Sequence, residues 1–329
     1  MATIRPRITL GIPDHPRTRA MIDGKVDIDG YDLKMTYDFV SSGERHHRFA
    51  QGEFDVGEFS MATFLRAKEK GRKVVALPIF FERGPRQRNI FYCEGRLNRP
   101  SELKGKKIGC TRYGATAIVW ARGFLLDEYN LKTTDMEWYV SGSEVFVGRE
   151  LPVKVERLEP PAPFGKEKER LAKMVSEGTL HAALVPGDFG YLGMFGGGKL
   201  APVMQKFAGV KPLFGDTDEI IRYVKEKRIY PIMHVIAMKE EIAERYRDVP
   251  HKLLEAFGAA RTVAADYMTE EEISGNEKEK TVLGEDPYAY VLGETEKRTL
   301  RALNRYQIEQ GLMKEELPLE SLFAPAVVH

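Results

Sequence analysis

Arginines recur in the short segments that follow apolar, strand-like runs of the chain. Three such segments carry them: Arg17 and Arg19, then Arg83, Arg86 and Arg88, and finally Arg112. A guanidinium binds a carboxylate through two parallel hydrogen bonds, so several arginines on converging loops are typical of a site for a small anion. We predict that at least one or two of these arginines line a ligand cleft and that the others are solvated.

Two histidines stand at positions where a side chain reaches a cleft. His15 and His234 lie at the ends of predicted strands, and an imidazole there is able to hold or give a proton. His46 and His47 lie in a predicted helix beside Arg45, and such a charged run predicts exposed surface. We therefore take His15 and His234 as the candidates for contact with a ligand.

Polar residues at two further strand ends extend the candidate set. Glu58 ends a predicted strand, and its carboxylate is predicted either to bind a ligand hydroxyl or to pair with a neighbouring arginine. Ser60 follows and is predicted to cap the next helix. Thr116, preceded by Gly114 and Ala115, opens a helix whose free backbone N–H groups favour an anion.

Predicted strands and helices alternate along the first two thirds of the chain. This alternation favours a mainly parallel sheet with helices on both faces. In open α/β sheets, ligands bind beyond the carboxyl ends of the strands. That rule selects, besides the segment at His234, five loops: 13–19, 57–61, 82–89, 111–116 and 186–190. The last loop contains Asp188, which joins the candidates.

The alternation occurs in two blocks followed by a helical return. This order predicts an α/β fold of two lobes with a ligand cleft between them, joined by crossings near 88–92 and 229–234. Lobe 1 is accordingly predicted to comprise residues 1–90 and 233–329, and lobe 2 residues 91–232. The helical C-terminal part of lobe 1 is a candidate face for a homodimer.

Composition limits the class of protein. The chain has 329 residues, of which 43% are hydrophobic, enough for a large core in one or two domains. Its 50 basic and 49 acidic residues leave a net charge of +1, which argues against a nucleic-acid-binding protein. No stretch approaches about 18 apolar residues, so no membrane span is predicted. The first residues lack the apolar segment of a secretory signal, so we expect a cytoplasmic protein.

Familiar catalytic and cofactor motifs do not occur in the sequence. The two cysteines, Cys93 and Cys110, lie in apolar runs and are predicted to be buried free thiols. There is no Cys/His cluster for zinc, no phosphate loop and no dinucleotide-binding glycine pattern. We predict no cofactor and no metal site, although a catechol-like ligand with Glu58 and a histidine keeps a divalent metal compatible with the sequence. The residues alone indicate an anion-binding cleft and leave its chemistry open.

Over whole segments, the chain resembles the 4,5-dihydroxyphthalate decarboxylases. The most specific likeness is the segment at 113–129, with Thr116-Ala117 and the run at 119–123. The segment at 103–109 is also similar, but it is common to many periplasmic-binding-protein-like domains. The other similar segments extend the likeness over nearly the whole chain: 14–19, 23–26, 53–60, 78–83, 231–234, 284–288 and 309–312.

The resemblance implies a periplasmic-binding-protein-like type II fold used inside the cell. It also implies a lyase that removes one carboxylate from 4,5-dihydroxyphthalate, which gives protocatechuate in phthalate degradation. A hydroxyl para to the leaving carboxylate pushes electrons into the ring, a general acid protonates the ring carbon, and carbon dioxide leaves. Positioned acid catalysis supplies about 10²–10⁴-fold. The other carboxylate needs a cationic clamp.

Carried over by position, the resemblance assigns roles to the candidate residues. His234 is the first candidate for the proton donor and His15 the second. The substrate-binding set is Arg17, Arg83 and Arg86 on the carboxylates, Glu58 and Ser60 on the ring hydroxyls, Thr116 on an anion, and Arg19, Tyr113 and Asp188 beside them. The implied ligand is a small aromatic anion.

Three positions depart from the family pattern. His15 stands where the family usually has tyrosine, Gln87 where it has histidine, and Tyr288 where it has tryptophan. The loss of the loop histidine favours a second interpretation, a cytoplasmic or leader-less solute-binding protein for a small aromatic anion without turnover. The two interpretations share the cleft and the arginines, and they differ in whether a proton donor reaches the ring carbon.

Overall fold

The computed structural model describes residues 5–80, 82–143, 151–186, 194–195 and 203–327 of the chain. The strands in this part are β1 (Arg7–Gly11), β2 (Asp32–Thr36), β3 (Val56–Ser60), β4 (Val74–Leu77), β5 (Ile90–Cys93), β6 (Lys107–Cys110), β7 (Glu137–Val140), β8 (Val155–Arg157), β9 (Ala182–Leu184), β10 (Val210–Pro212) and β11 (His234–Lys239). The helices are α1 (Pro16–Ile22), α2 (Ser42–Ala50), α3 (Met61–Glu69), α4 (Thr116–Tyr129), α5 (Glu167–Glu177), α6 (Thr217–Lys227), α7 (Glu240–Arg245), α8 (Val249–Thr262), α9 (Glu270–Leu283) and α10 (Glu294–Glu309). None of these helices combines the length and the apolar character needed to cross a bilayer.

The local sequence explains where the longer helices begin and end. Helix α4 is buried over its first ten residues, most of which are apolar, and it ends at Asn130, which adopts a left-handed conformation with a φ of 51°. Helix α9 begins with a capping box in which Thr269 and Glu272 bind each other's backbone N–H groups. It ends at Gly284, whose φ of 74° is a conformation that glycine adopts without strain.

The first sheet has the strand order β2-β1-β3-β11-β4. Strand β1 lies parallel to β2 and β3, whereas β11 lies antiparallel to β3 and β4. Strand β3 is buried throughout, and β11 is buried except at its two end residues. The end of the chain's second block therefore returns into the middle of the first sheet, directly beside β3.

The second sheet has the strand order β10-β5-β9-β6-β7-β8. Strand β6 lies parallel to β7 and β9, and β8 continues the parallel set, whereas β5 lies antiparallel to β9 and β10. The prediction of mainly parallel sheets is thus only partly right. Every antiparallel pair among the described strands involves β5 or β11, the two strands that lie next to the predicted crossings.

Helix α10 connects the surroundings of the two sheets, because it packs against both α3 and α4. Helix α3 follows β3 of the first sheet, and α4 follows β6 of the second. Arg66 of α3 donates to Gln307 Oε1 at 2.7 Å, and Arg122 of α4 donates to Gln310 Oε1 at 2.9 Å. Two buried arginines are therefore held by amides about one turn apart, one on α10 and one at the residue that directly follows it.

Most predicted elements are present, with shifted ends. The sequence pattern predicts a helix over 116–129 and a strand over 137–140, and α4 and β7 have these bounds. It also predicts a strand over 53–58, which the structure places at Val56–Ser60. A helix is likewise predicted over 251–268, but α8 ends at Thr262, and the sequence pattern does not mark α6 or α9 as separate helices. The lobe boundaries and the dimer face stay predictions.

Candidate active site

A cavity of about 540 Å³ lies where strand ends of both sheets come together. Each of the six places selected by the strand-end rule contributes at least one lining residue. Examples, one from each place, are Pro13, Ser60, Glu82, Thr111, Pro186 and His234. Further lining residues come from α2, α3 and the start of α5, which the rule does not select.

The described lining residues are rich in charge, with cations in excess. Five of them are basic: Arg45, Arg66, Arg86, Arg112 and Lys168. Three are acidic: Glu58, Glu82 and Glu167. A cleft with an excess of one sign of charge raises the local concentration of ligands of the opposite sign. The cavity therefore favours an anion, in agreement with the expectation from the loop arginines.

The pairing of β3 with β11 brings three of the predicted residues to one face of the sheet. His234 lies opposite Ser60, and Ile236 lies opposite Glu58. Residues two apart on a strand point to the same side, so His234 is the diagonal neighbour of Glu58. The register thus places an imidazole, a carboxylate and a hydroxyl together at the carboxyl end of β3.

His234 carries a proton at neutral pH because two carboxylates share its Nδ1 nitrogen. Nδ1 lies 3.0 Å from Glu58 Oε1 and 3.1 Å from Glu82 Oε2. Burial would lower the pKa of His234, but the two negative charges outweigh burial and raise the pKa to about 9. With Nδ1 engaged by the carboxylates, Nε2 is the nitrogen that remains for a ligand.

Helix α2 places Arg45 and His46 beside Glu58. Arg45 forms a buried ion pair with Glu58, and Nε2 of His46 lies 3.6 Å from Glu58 Oε2. The expectation that His46 is exposed is wrong, because only its neighbour His47 faces solvent. Burial lowers the pKa of His46 to about 3, so this imidazole is neutral. Phe49, three residues further along, marks the buried face and is the signal that the sequence offered.

The two histidines and Glu58 also form a cluster with the composition of a metal site. His46, Glu58 and His234 each offer one ligand atom, and these atoms lie within 4.8 Å of one another. Two imidazoles and a carboxylate suit a divalent transition metal. Here, however, Glu58 is paired with Arg45, and His234 holds a proton. A metal ion would have to displace both the guanidinium and the proton, so the arrangement fits a site that holds a proton better than one that holds a cation.

Arg86 is the one arginine of the third loop that lines the cavity. Its guanidinium donates to Glu82 Oε1 at 3.1 Å and to Met233 Sδ at 2.8 Å. Partial burial would raise the pKa of Glu82, whose side chain is 42% exposed, but the charges of His234 and Arg86 outweigh burial and lower the pKa to about 2. Glu82 therefore connects the predicted proton donor with a predicted carboxylate-binding residue.

The hydroxyl of Ser60 joins the first sheet to a helix of the second. Ser60 is the N-terminal cap position of α3, but its side chain makes no bond to the helix backbone, so the predicted capping interaction is absent. Ser60 Oγ instead lies 2.8 Å from Thr116 Oγ1, at the first residue of α4. The backbone N–H of Ala62 also donates to Thr116 Oγ1, at 3.0 Å. The two hydroxyls therefore lie together in the cavity.

His15 lines the cavity as a neutral imidazole. Its Nδ1 accepts a hydrogen bond from the backbone N–H of Arg17 at 2.9 Å, which caps α1. Burial and the charge of Arg17 lower the pKa of His15 well below its ordinary value. The ring therefore carries its hydrogen on Nε2 and has no second proton to give. His15 is suited to donating a hydrogen bond, and His234 is the better proton donor.

Arg83 and Tyr113 lie behind the cavity and do not line it. Arg83 is fully buried and donates to Glu296 Oε1 at 2.6 Å and to two backbone carbonyls at 2.6 and 3.0 Å. Tyr113 is buried beneath the guanidinium of Arg122, whose central carbon lies 3.7 Å from the ring centroid. The structure therefore brings neither residue to the predicted ligand.

Arg17 and Arg19 also lie away from the cavity. Arg17 stacks on Tyr288 at 3.6 Å from the ring centroid, donates to Asn276 at 3.3 Å and lines a separate pocket of about 240 Å³. Arg19 pairs with two aspartates near the surface, at 2.8 and 2.9 Å. Asp188 lies outside the described residues. Of the arginines predicted to bind the substrate, only Arg86 lines the cavity.

Several lining residues are not among the candidates from the sequence, and they include cations on helices as well as polar residues in loops. Glu82, Asn89 and Thr111 lie in loops that the strand-end rule selects, but residue type alone does not distinguish them from other polar loop residues. The side chains of Asn89 and Thr111 are buried, and their polar atoms have no hydrogen-bond partner among the described residues. Buried polar atoms are rarely left without partners, so these two side chains are available to a ligand.

These features define a two-lobed α/β protein with a cavity between its sheets, in whose lining basic residues outnumber acidic ones. The structure is similar to the periplasmic aliphatic sulphonate binding protein of Escherichia coli, with a TM-score of 0.58 and 13% sequence identity, over 98% of this chain and 99% of that chain. The expected periplasmic-binding-protein-like fold is thereby confirmed.

No family model matches the sequence, but individual relatives do. A 4,5-dihydroxyphthalate decarboxylase of Pseudomonas putida is 32% identical over 188 residues, which cover 54% of this chain and 70% of the relative. A second protein of that name, from Comamonas testosteroni, is 28% identical over 333 residues, 97% of each chain. The chain belongs to the 4,5-dihydroxyphthalate decarboxylase family, and the names of both relatives describe a carboxy-lyase.

Proposed function

We propose that the chain is a decarboxylase of a hydroxylated aromatic carboxylic acid of the 4,5-dihydroxyphthalate type. The observation that carries this proposal is the charged His234, which two carboxylates hold at the edge of a cavity with excess cations. The names of the two relatives support the substrate class.

In the proposed reaction, His234 is the general acid. Its Nε2 gives a proton to the ring carbon that bears the leaving carboxylate, while a hydroxyl para to that carbon pushes electrons into the ring. The bond to the carboxylate then breaks, its electron pair restores the aromatic ring, and carbon dioxide leaves. The neutral imidazole regains a proton from water. Positioned acid catalysis of this kind contributes about 10²–10⁴-fold.

Three other lining residues bind the substrate or keep His234 protonated in this proposal. Arg86 binds a carboxylate of the substrate, since it is the arginine of the third loop that lines the cavity. Glu58 is already engaged by Arg45 and His234, so we assign it to holding the proton on His234 rather than to binding a ring hydroxyl. Neutral His15 is assigned to a hydrogen bond with the substrate.

The second candidate function is binding of a small aromatic anion without turnover. The fold similarity to a sulphonate-binding protein favours it, because the same architecture there serves binding. Both candidates require an anionic ligand in the cavity, and only the first requires a proton to reach the ring.

The deciding experiment measures binding and carbon dioxide release on the same protein with 4,5-dihydroxyphthalate. We expect both in the unchanged protein, and we expect His234→Ala to abolish release while affinity changes by less than about tenfold. His251→Ala is the matched control, because His251 is an exposed helical histidine paired with Glu255 and is not among the residues lining the cavity. Binding without release in the unchanged protein would favour the second candidate, and full activity of His234→Ala would end the assignment of the acid.

A further inference from the structure

A chain of hydrogen bonds runs from a buried arginine to the cavity. Arg66 donates to Thr63 Oγ1 at 3.1 Å, and Thr63 Oγ1 donates to Ser60 Oγ at 3.1 Å. Ser60 Oγ lies 2.8 Å from Thr116 Oγ1, and the N–H of Ala62 donates to the same threonine oxygen. This series of hydrogen bonds starts at a guanidinium on α3 and ends at the first residue of α4. It therefore connects a helix that follows the first sheet with a helix that follows the second.

The hydroxyl hydrogens in this hydrogen-bond series determine whether it can donate to a ligand or accept from one. The hydrogen of Thr63 is used on Ser60, and one hydrogen is used between Ser60 and Thr116, so one hydroxyl hydrogen of that pair remains. If Ser60 donates, Thr116 accepts two hydrogen bonds and keeps its own hydrogen. If Thr116 donates, Ser60 accepts two and keeps its hydrogen. In both directions the hydroxyl with the spare hydrogen has no lone pair left, so it acts only as a donor.

The cation at the start of the chain strengthens that donor. Each hydroxyl that accepts a hydrogen bond becomes a better donor itself, and the first donor here is charged. Both Ser60 and Thr116 line the cavity, as do Thr111 and Asn89, whose buried polar atoms have no partner among the described residues. A strengthened donor without acceptor capacity, in a cavity that also contains polar groups without partners, suits the oxygen of an anion.

We propose that the hydroxyl pair of Ser60 and Thr116 is the subsite for the carboxylate that stays on the ring, with Arg66 and Thr63 as positioning residues. This inference rests on the proposed function for the identity of the ligand. A donor on the leaving carboxylate would stabilise charge that must be lost in the reaction, whereas a donor on the retained carboxylate holds the substrate throughout. Ser60 lies opposite His234 in the β3–β11 pair, so a carboxylate bound at Ser60 is close to the acid, as a substrate with carboxylates on adjacent ring carbons requires.

The test compares Thr63→Val, which keeps the shape and removes the hydroxyl, with Thr63→Ser, which keeps the hydroxyl. Affinities are measured by calorimetry for phthalate with two carboxylates, protocatechuate with one, and catechol with none. We expect Thr63→Val to weaken phthalate and protocatechuate about tenfold, within the range of a charge-assisted hydrogen bond, and to leave catechol within about twofold. Thr63→Ser should leave all three within about twofold.

Two further readouts separate positioning from a structural role. In turnover, Thr63→Val should raise KM and leave kcat within about threefold, since the interaction is made equally in the ground and transition states. Arg66→Met should lower affinity for the two acids as Thr63→Val does, whereas Arg122→Met, which removes the other buried arginine, bound to Gln310, should not. The ratio of affinities for acid and catechol is taken within one variant, so a change in its stability does not affect the comparison.

Each alternative result would contradict a specific part of the proposal. Equal weakening of all three ligands by Thr63→Val, or weakening of none, would remove the subsite. Weakening of phthalate without protocatechuate would place the leaving carboxylate there and refute the assignment to the retained one. If the unchanged protein releases no carbon dioxide but Thr63→Val still loses affinity for both acids selectively, the decarboxylase proposal fails while the subsite stands.

Discussion

Two carboxylates hold the proton on His234, and their side chains differ in solvent exposure. The more exposed carboxylate is the better target for a substitution. The side chain of Glu58 is 2% exposed and that of Glu82 is 42% exposed. Glu82→Gln removes the charge and keeps an oxygen that accepts a hydrogen bond. Two charges about 4 Å apart interact by about 1–4 kcal/mol as the effective dielectric constant falls from about 80 to about 20, which is about 1–3 pKa units. Since Glu82 is partly exposed, we expect the lower part of this range, and a pKa of His234 lowered by about 1–2 units.

The assay is the pH dependence of kcat/KM for carbon dioxide release, whose limbs report the free enzyme. Because the acid must be protonated and its pKa is about 9, activity should persist below that pH and fall above it. In Glu82→Gln the falling limb should move about 1–2 units toward neutral pH. Glu53→Gln, which removes an exposed carboxylate paired with Arg48, should leave the limb in place. An unchanged or raised limb in Glu82→Gln would refute the assignment of His234 as the titrating acid.

The same proton links stability to pH, with a sign opposite to that of a salt-bridged carboxylate. The pKa of His234 is raised from 6.5 to about 9 on folding, so the folded state binds the proton more tightly. The stabilisation is fully present below about pH 6.5 and is lost as the pH rises through about 9. Its upper limit is on the order of 3 kcal/mol. Urea unfolding at pH 6 and pH 9 should show this loss in the unchanged protein and a smaller one in Glu82→Gln.

Two further variants test whether Arg83 and Arg86, both predicted from the sequence to bind a carboxylate, have different roles. Arg83→Met leaves Glu296 buried without its partner, so urea unfolding should show a loss of about 3–5 kcal/mol, while calorimetric affinity of the folded protein for phthalate stays within about threefold. A large loss of affinity with little loss of stability would show that Arg83 contacts the ligand. Arg86→Ala should weaken phthalate at least about tenfold more than catechol in the same calorimetric experiment. Equal weakening of the two ligands would remove Arg86 from the carboxylate site.

The positions of the cavity loops could be read from the sequence, because they depend on local order. Alternating strands and helices imply strand ends on one edge, and every loop selected in that way contributes to the cavity. The pairing that creates the acid could not be read in the same way. His234 meets Glu58 across 176 positions of sequence, and only the register of β11 against β3 decides that their side chains face each other.

The arginines show why residue type alone does not identify a binding residue. Arg83 and Arg86 lie three positions apart in one loop, yet Arg83 turns to Glu296 on α10, 213 positions away, and Arg86 turns to the cavity. A local sequence pattern shows how many cations a loop carries. It does not show that one of them forms an ion pair with a residue on a distant helix and therefore does not face the cavity. His46 is the converse case, since a charged run concealed a buried side chain whose apolar signal was a single phenylalanine.

The cost of the charged histidine helps to separate the two candidate functions. In a site that only binds an anion, carboxylates in the lining reduce the positive charge that attracts the ligand. Here, burial alone would lower the pKa of His234 and remove its proton, and two carboxylates are needed to raise that pKa to about 9. Glu58 and Glu82 therefore work against anion binding in order to keep one proton in place. Two negative charges that keep a histidine protonated are expected in a site that must deliver this proton to its ligand. For this reason we favour a decarboxylase over a binding protein built on the same fold.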